Sequence, residues 1–226
     1  YAAIRGFGDP RSGKSPYSDW PSYDVVAQAM GGVMSMTGPD ADSFTKVGPG
    51  VGDIFSGMVM AFGILAALRL AEATGEGQFV DVAMYDAVLS LCERAVYLND
   101  FNGTTPGPEG NNHPFLAPFG LFKAKDGAVA IGVVEDKFWQ ILANAMDGDA
   151  LCKNAKFATR ASRAEHKDAL NSLVETWTKA HTKAELSAIL GGKIPFGPLN
   201  SITDIMDDPH VLERSMLTQV TNPDSP

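Results

Sequence analysis

Residues 51–83 read VGDIFSGMVM AFGILAALRL AEATGEGQFV DVA, and the rest of the chain is best read outward from them. Residues 54–73 are apolar nearly all round (Met58, Val59, Met60, Phe62, Ile64, Leu65, Leu68), which predicts a long helix buried against several elements. Gly75 and Gly77 stop it, because glycine takes the backbone angles that end helices. Residues 78–83 then alternate as a short strand. A long helix running into a strand is the pattern of an α/β protein.

Upstream, residues 1–5 predict a strand that enters Gly6-Phe7-Gly8 and a Gly/Pro/Ser-rich loop over 9–21. Residues 23–36 have helical spacing through Val25, Val26, Ala29, Met30 and Val33, weakened by Gly31 and Gly32. A loose segment covers 37–52. Downstream, 84–101 predicts one helix, and 102–118 a long loop containing Gly110-Asn111-Asn112-His113-Pro114.

From Phe119 the character changes. Residues 119–124 and 128–134, joined by Lys125-Asp126-Gly127, predict a hairpin. A helix over 135–146 turns Phe138, Trp139 and Leu142 inward, and two capping boxes follow, Ser162 with Glu165 and Thr182 with Glu185. Gly191-Gly192 closes the second, and 194–199 predicts a strand with prolines. After the Asp208-Pro209 break, the chain ends in the turn-like run Asn222-Pro223-Asp224-Ser225-Pro226. The expected organisation is a large α/β domain over 1–117, a small α/β domain over 118–200, and a return segment toward the large domain over 201–226.

The 226 residues are 45% hydrophobic and 20% charged, so a sizeable core is within reach. A formal charge of -9 repels a phosphate backbone, which argues against nucleic acid as a partner. Cys92 and Cys152 have no second Cys or His at metal-ligand spacing; we read them as reduced, buried thiols of a cytoplasmic protein, with no metal site. No apolar run reaches the roughly 20 residues that span a bilayer; the nearest, 57–68, stops at Arg69, and no membrane role is expected. Tyr1 begins what reads as a core strand, so a fragment of a longer chain is expected. Walker, Gly-x-Gly-x-x-Gly, Gly-x-Ser-x-Gly and His-Glu-x-x-His motifs are all missing.

Asp53 is the residue that could carry chemistry. One reading makes it an N-cap accepting hydrogen bonds from first-turn amides. The other notes Gly48, Gly50, Gly52 and Gly57 around it, which leave a ligand room to approach a carboxylate that can act as a covalent nucleophile. Met30, Met34, Met58 and Met60 read as core packing.

In order and spacing, the runs Gly6-Phe7-Gly8, Tyr23-Asp24-Val25-Val26-Ala27-Gln28-Ala29-Met30-Gly31-Gly32, Gly52-Asp53, Gly63-Ile64-Leu65-Ala66-Ala67-Leu68 and Thr74-Gly75-Glu76-Gly77-Gln78 resemble the class III CoA-transferases, also called the CaiB/BaiF family. The resemblance continues through Gly110 to the Arg163 region. It implies part of a Rossmann-like large domain plus a small domain, in chains about twice this long that interlock as homodimers. It also implies an enzyme acting on acyl-CoA and a small carboxylic acid, with CoA as substrate and no permanently bound cofactor.

By that resemblance the nucleophile falls on Asp53. The segment lining the CoA chain falls on Pro21, Ser22, Tyr23 and Asp24, with Met84 as another CoA contact. The loop closing over the intermediate falls on Gly110, Asn111, Asn112 and His113, where this chain has Gly-Asn-Asn-His in place of a run of glycines. His113 is then either solvent-facing or a contact to the acceptor carboxylate; Tyr23 and Gln28 read without the resemblance as core and helix-surface residues.

The implied chemistry is attack of Asp53 on the thioester to give an aspartyl anhydride, then an aspartyl-CoA thioester that an acceptor carboxylate attacks. Succinyl-CoA or another short dicarboxylate is the expected substrate. The alternatives are an α-methylacyl-CoA racemase or epimerase, or a non-catalytic binding fragment. Racemases of this fold carry Gly-His-Asp-x-Asn-Tyr where this chain has Pro21-Ser22-Tyr23-Asp24-Val25-Val26, so the histidine base is lacking.

Overall fold

The structure is a computed structural model that describes residues 1–220; the turn-like run at 222–226 lies outside the described residues. The chain is mixed α/β and forms two compact units that divide between Gly110 and Asn111. The division does not fall at 117/118, because Leu121 N–H bonds the Asn111 carbonyl and Asn112 bridges to Gly120, which ties this stretch to the second unit. Residues 201–220 also group with the second unit and not with the first.

In the first unit, β1 (Ala2–Arg5) pairs in parallel with β2 (Val80–Ala83), Ala2 opposite Val80 and Arg5 opposite Ala83. Parallel strands need a long crossover, and here it carries α1 (Asp24–Met30), a 3₁₀ turn (Val33–Met36) and α2 (Val51–Thr74). The helix expected over 23–36 ends early because Gly31 caps it and Gly32 turns to a φ of 97°. Past α2, Gly75 takes a φ of 76°, the left-handed C-terminal position that glycine reaches without strain.

The helix expected over 84–101 is two, α3 (Met84–Ser90) and α4 (Glu93–Asn102). Between them Leu91 and Cys92 bond three residues back, and the buried Cys92 thiol lies against the Gly31 carbonyl. Cys152, by contrast, is only half-buried.

The long helix departs from its expected surroundings. Gly52, Ser56 and Met60 form one buried stripe against its neighbours α1, α3, β1 and β2, whereas Phe62 (81% exposed), Leu65, Met58 and Leu68 face outward. The expectation of burial on several sides is therefore corrected, and with it the reading of Met58 as core: these neighbours cover one side of the helix. Among the described residues, α2 is the one helix long and apolar enough to cross a membrane by length and composition, so its apolar stretch is longer than the 57–68 run suggested; core helices meet the same test.

The second unit holds β3 (Phe119–Ala124), β4 (Gly127–Gly132) and β5 (Phe196–Pro198) as an antiparallel sheet in that order, with Lys125-Asp126 as the two-residue turn between β3 and β4. Helices α5 (Asp136–Asp147), α6 (Asp149–Lys153), α7 (Arg160–Glu165), α8 (Lys167–Lys179) and α9 (Lys183–Leu190) follow β4. Phe122, Val129, Ile131, Trp139, Leu142, Leu170, Val174, Leu186 and Leu190 are almost fully buried together, each contributing roughly 1.5–3 kcal/mol by removal from water.

The capping box expected at Ser162 with Glu165 is instead Thr159 with Ser162, since α7 starts one turn earlier; Thr182 with Glu185 is as expected. Two short helices complete the unit, α10 (Ile202–Met206), capped by Ser201 with Asp204, and α11 (Pro209–Glu213). Asp208 caps α11, so the Asp-Pro break is a helix start.

Arg163 is fully buried in this core. Its guanidinium donates to Asp136 Oδ1 at 2.6 Å and to the Phe157 carbonyl at 3.2 Å, and lies 5.5 Å from the Trp139 ring. Arg163→Ala should cost about 2–4 kcal/mol, because it removes a buried stem and both hydrogen bonds. Lys153→Ala, which breaks an exposed pair with Asp149, should cost under about 0.5 kcal/mol. Urea unfolding followed by tryptophan fluorescence compares the two; equal costs would show that Arg163 does not organise this core.

Candidate active site

Asp24 and Gln28 lie one turn apart on α1 and so share a face. Asp24 Oδ1 accepts the Gly52 N–H at 2.8 Å, and its Oδ2 accepts Gln28 Nε2 at 2.8 Å. Gln28, fully buried, accepts the Val47 N–H at 2.8 Å and donates to the Val47 carbonyl at 3.3 Å. Residues 47–52 are thereby fixed to α1 at both ends. Gly52 is closely packed: a Cβ there would stand 3.1 Å from Ala27 Cβ and from Asp24 Oδ1, so one of them would have to give way.

Asp53 follows as the third residue of α2. The N-cap position is Gly50, which has no side chain, so the reading of Asp53 as an N-cap is corrected. Asp24 reaches across from another helix and takes the first-turn amide. The Asp53 carboxylate is exposed, and no described residue hydrogen-bonds it. It sits in the first turn, at the positive end of a 24-residue helix. Both carboxylates flank Gly50, where a Cβ would lie 3.7 Å from Asp24 Oδ1 and 3.7 Å from Asp53 Oδ2.

The segment 21–24 is delivered by the loop after β1. Asp9 is buried there between Arg5 (2.9 Å) and Arg11 (2.8 Å), and the Arg11 hydrogen bonds hold its carboxyl far below the usual carboxylate range. The Asp9 N–H donates to Asp81 Oδ2 at 2.9 Å, which ties the loop to β2. Gly6 lies so close to Ser22 that a Cβ would collide with it. Pro21 is exposed, Ser22 half-buried and Tyr23 79% exposed. Reading Tyr23 as core and Gln28 as helix surface is thus reversed.

Met84 is buried on Ala27 and Val88, directly beneath α1. A cleft of about 440 Å³ between Phe7, Lys14, Tyr17, Asp81 and Tyr85 does not include Asp53 in its walls. Among the described residues, no three His, Cys, Asp or Glu side chains come together to hold a metal.

Gly110 closes the first unit, its N–H on the Gly38 carbonyl at 3.0 Å. Asn111, Asn112 and His113 open the second and are laid along β3, with the His113 N–H on the Phe119 carbonyl at 2.9 Å. His113 is half-buried: its Nδ1 accepts the Phe115 N–H at 3.1 Å, and its ring meets Phe119 edge-on.

The whole chain, residues 1–226, matches the model of CoA-transferase family III. The chain belongs to this family. It is 45% identical over 223 residues, 99% of its length, to a Haloarcula marismortui protein named succinyl-CoA:mesaconate CoA-transferase, of which it covers 56%. It is 32% identical over 217 residues to an Agrobacterium fabrum succinate–glutarate CoA-transferase, covering 96% of this chain and 53% of that one. Among solved structures, a CaiB/BaiF family protein from Brucella suis superposes with a TM-score of 0.81 at 30% identity, covering all of this chain and 61% of the other. The chain thus spans about half the length of the curated CoA-transferases it matches.

Gln28 is the residue that sequence reading failed to place in the site. The available signal was its four-residue spacing from Asp24. Because Gly52 is pressed onto α1, Gly52→Ala should force the helix start away from Asp24 and lower stability by about 1–3 kcal/mol. Gly57→Ala, with open space at its Cβ, should be neutral or stabilising. Thermal melting of the two variants checks this, and a neutral Gly52→Ala would contradict the packing described.

Proposed function

We propose that the full-length protein is an acyl-CoA:carboxylate CoA-transferase whose nucleophile is Asp53. The observation that carries this reading is the exposed, unbonded Asp53 carboxylate in the first turn of α2, in a chain that belongs to CoA-transferase family III. One Asp53 oxygen attacks the thioester carbonyl of the donor, the C–S bond breaks, and CoA leaves as thiolate beside an aspartyl acyl anhydride. The thiolate attacks the aspartyl carbonyl, releasing the donor carboxylate and leaving an aspartyl-CoA thioester. The acceptor carboxylate attacks that thioester, forming a second anhydride and again expelling thiolate. Attack of the thiolate on the acceptor's acyl carbon then yields the new acyl-CoA and returns Asp53 to its carboxylate.

Each activated bond is exchanged for another, so no ATP is consumed. First-turn amides of α2 are suited to stabilising the oxyanions, and Pro21, Ser22 and Tyr23 supply an exposed edge beside Asp24 for the CoA chain. The relatives named for succinyl-CoA with mesaconate and for succinate with glutarate support succinyl-CoA as donor and a short dicarboxylate as acceptor. Those acids set the substrate panel.

The full-length protein should convert succinyl-CoA and a dicarboxylate such as mesaconate into the exchanged thioester, followed by mass spectrometry. Hydroxylamine quenching in mid-turnover should convert Asp53 to a hydroxamate, found in the tryptic peptide 47–69. Asp53→Ala should lower transfer by about a thousandfold or more. Near-wild-type transfer by that variant would remove the assignment, as would solvent deuterium entering the acyl α-carbon without transfer.

We also propose a cytoplasmic homodimer for the full-length protein. The apolar face of α2 needs cover, and the thiols of Cys92 and Cys152 are free. Sedimentation at twice the chain mass is the expected result; a monomer at working concentration would reject it.

A further inference from the structure

We infer that Gln28 is a positioning residue for the reaction of Asp53: its buried carboxamide holds residues 47–52 and Asp24 together, and so fixes where the Asp53 carboxylate stands. The inference rests on the reading of Asp53 as the nucleophile.

An amide without water costs free energy unless its donors and acceptor are used, and Gln28 is 0% exposed. A leucine would fill the same space without that demand. The demand is met by three specific contacts: Val47 N–H on Oε1, and Nε2 shared between Asp24 Oδ2 and the Val47 carbonyl. Asp24 in turn holds the Gly52 N–H. One side chain therefore sets both the point where the glycine loop leaves α1 and, through Asp24, the point where it returns one residue ahead of Asp53.

The charged groups around it are few. Asp24 is on its own helix, Lys46 reaches the Val47 and Gly48 carbonyls from the loop, and Asp53 is on α2. The α3 helix meets α1 through Met84 and Val88, and its one charged residue, Asp86, lines the separate cleft with Phe7, Lys14 and Tyr17.

The test uses the full-length protein with two variants. Gln28→Glu keeps an acceptor for Val47 but sets a second carboxylate against Asp24; Gln28→Leu keeps volume and loses every contact. With both, kcat at about pH 8 should fall roughly 10- to 100-fold, while KM for succinyl-CoA stays within about threefold. As pH falls toward about 5.5, Gln28→Glu should recover relative to wild type, because a carboxyl forced against another carboxylate holds its proton longer and can then donate to Asp24. Gln28→Leu should show no recovery.

Amide hydrogen exchange gives a readout independent of the reaction. In Gln28→Leu, Val47 and Gly52 should exchange at least about 10-fold faster, with the middle of α2 unchanged. The proposal is overturned if both variants keep kcat within about twofold, if the loss lies in KM alone, or if exchange rises evenly through the first unit. A wild-type protein that transfers no CoA would defeat the reading of Asp53, while Val47 and Gly52 exchange would still decide whether Gln28 holds the loop.

Discussion

A single amide, the N–H of Gly52, ties the candidate site together. Every α-helix begins with N–H groups that lack a partner within the helix, and the usual remedy is a side chain at the N-cap. In α2 that position is Gly50, so the acceptor comes from Asp24, 28 residues away. A hydrogen bond to a carboxylate is worth roughly 1.5–3 kcal/mol, and here it also fixes geometry. The absence of a side chain at Gly52 eases the approach of Asp24, since a Cβ there would press on both the Ala27 methyl group and the Asp24 carboxylate.

The two units hold themselves together by different means. The second unit has one continuous core of fourteen buried apolar residues, from Ala117 to Ile194, and its sheet and helices enclose it. The first has clusters of three, around Val88 and around Met60, and leans on polar ties: Asp24 to Gly52, Gln28 to Val47, and Asp9 between Arg5 and Arg11. Polar ties are directional where apolar packing is not. The unit with the smaller core is thus the one whose loops are held to particular atoms, and those loops deliver the segment 21–24 and the start of α2, where Asp53 stands.

That difference explains what the sequence disclosed. The hairpin over 119–132, the helix carrying Trp139 and the cap at Thr182 could be read because their signals are local: a two-residue turn, a 3.6-residue period, a box four residues long. The start of α2 could not. An aspartate ahead of an apolar run looks like an N-cap, and only the fold shows Asp24 already in that role. Gln28 was hidden for the same reason, since its partner Val47 is 19 residues away. The break at Leu91-Cys92 lies where the Cys92 thiol meets the carbonyl of Gly31, far away in sequence. Asp53 stands out by its local setting, a carboxylate among glycines ahead of an apolar helix, while the role of nucleophile comes from the family resemblance.

Two carboxylates flank Gly50, and the hydrogen bonds tell them apart. Asp24 has one oxygen on the Gly52 amide and the other on Gln28, so both oxygens are engaged and turning the carboxylate would break both bonds. Turning it toward a thioester would release the helix start and leave the buried Gln28 amide short of an acceptor. Asp53 has no such bonds to give up, and its exposed oxygens can approach a carbonyl carbon while Asp24 stays in place. On the reading proposed for Asp53, the division of labour follows from which carboxylate is tied and which is free: Asp24 holds the helix start, and Asp53 is the one available as nucleophile.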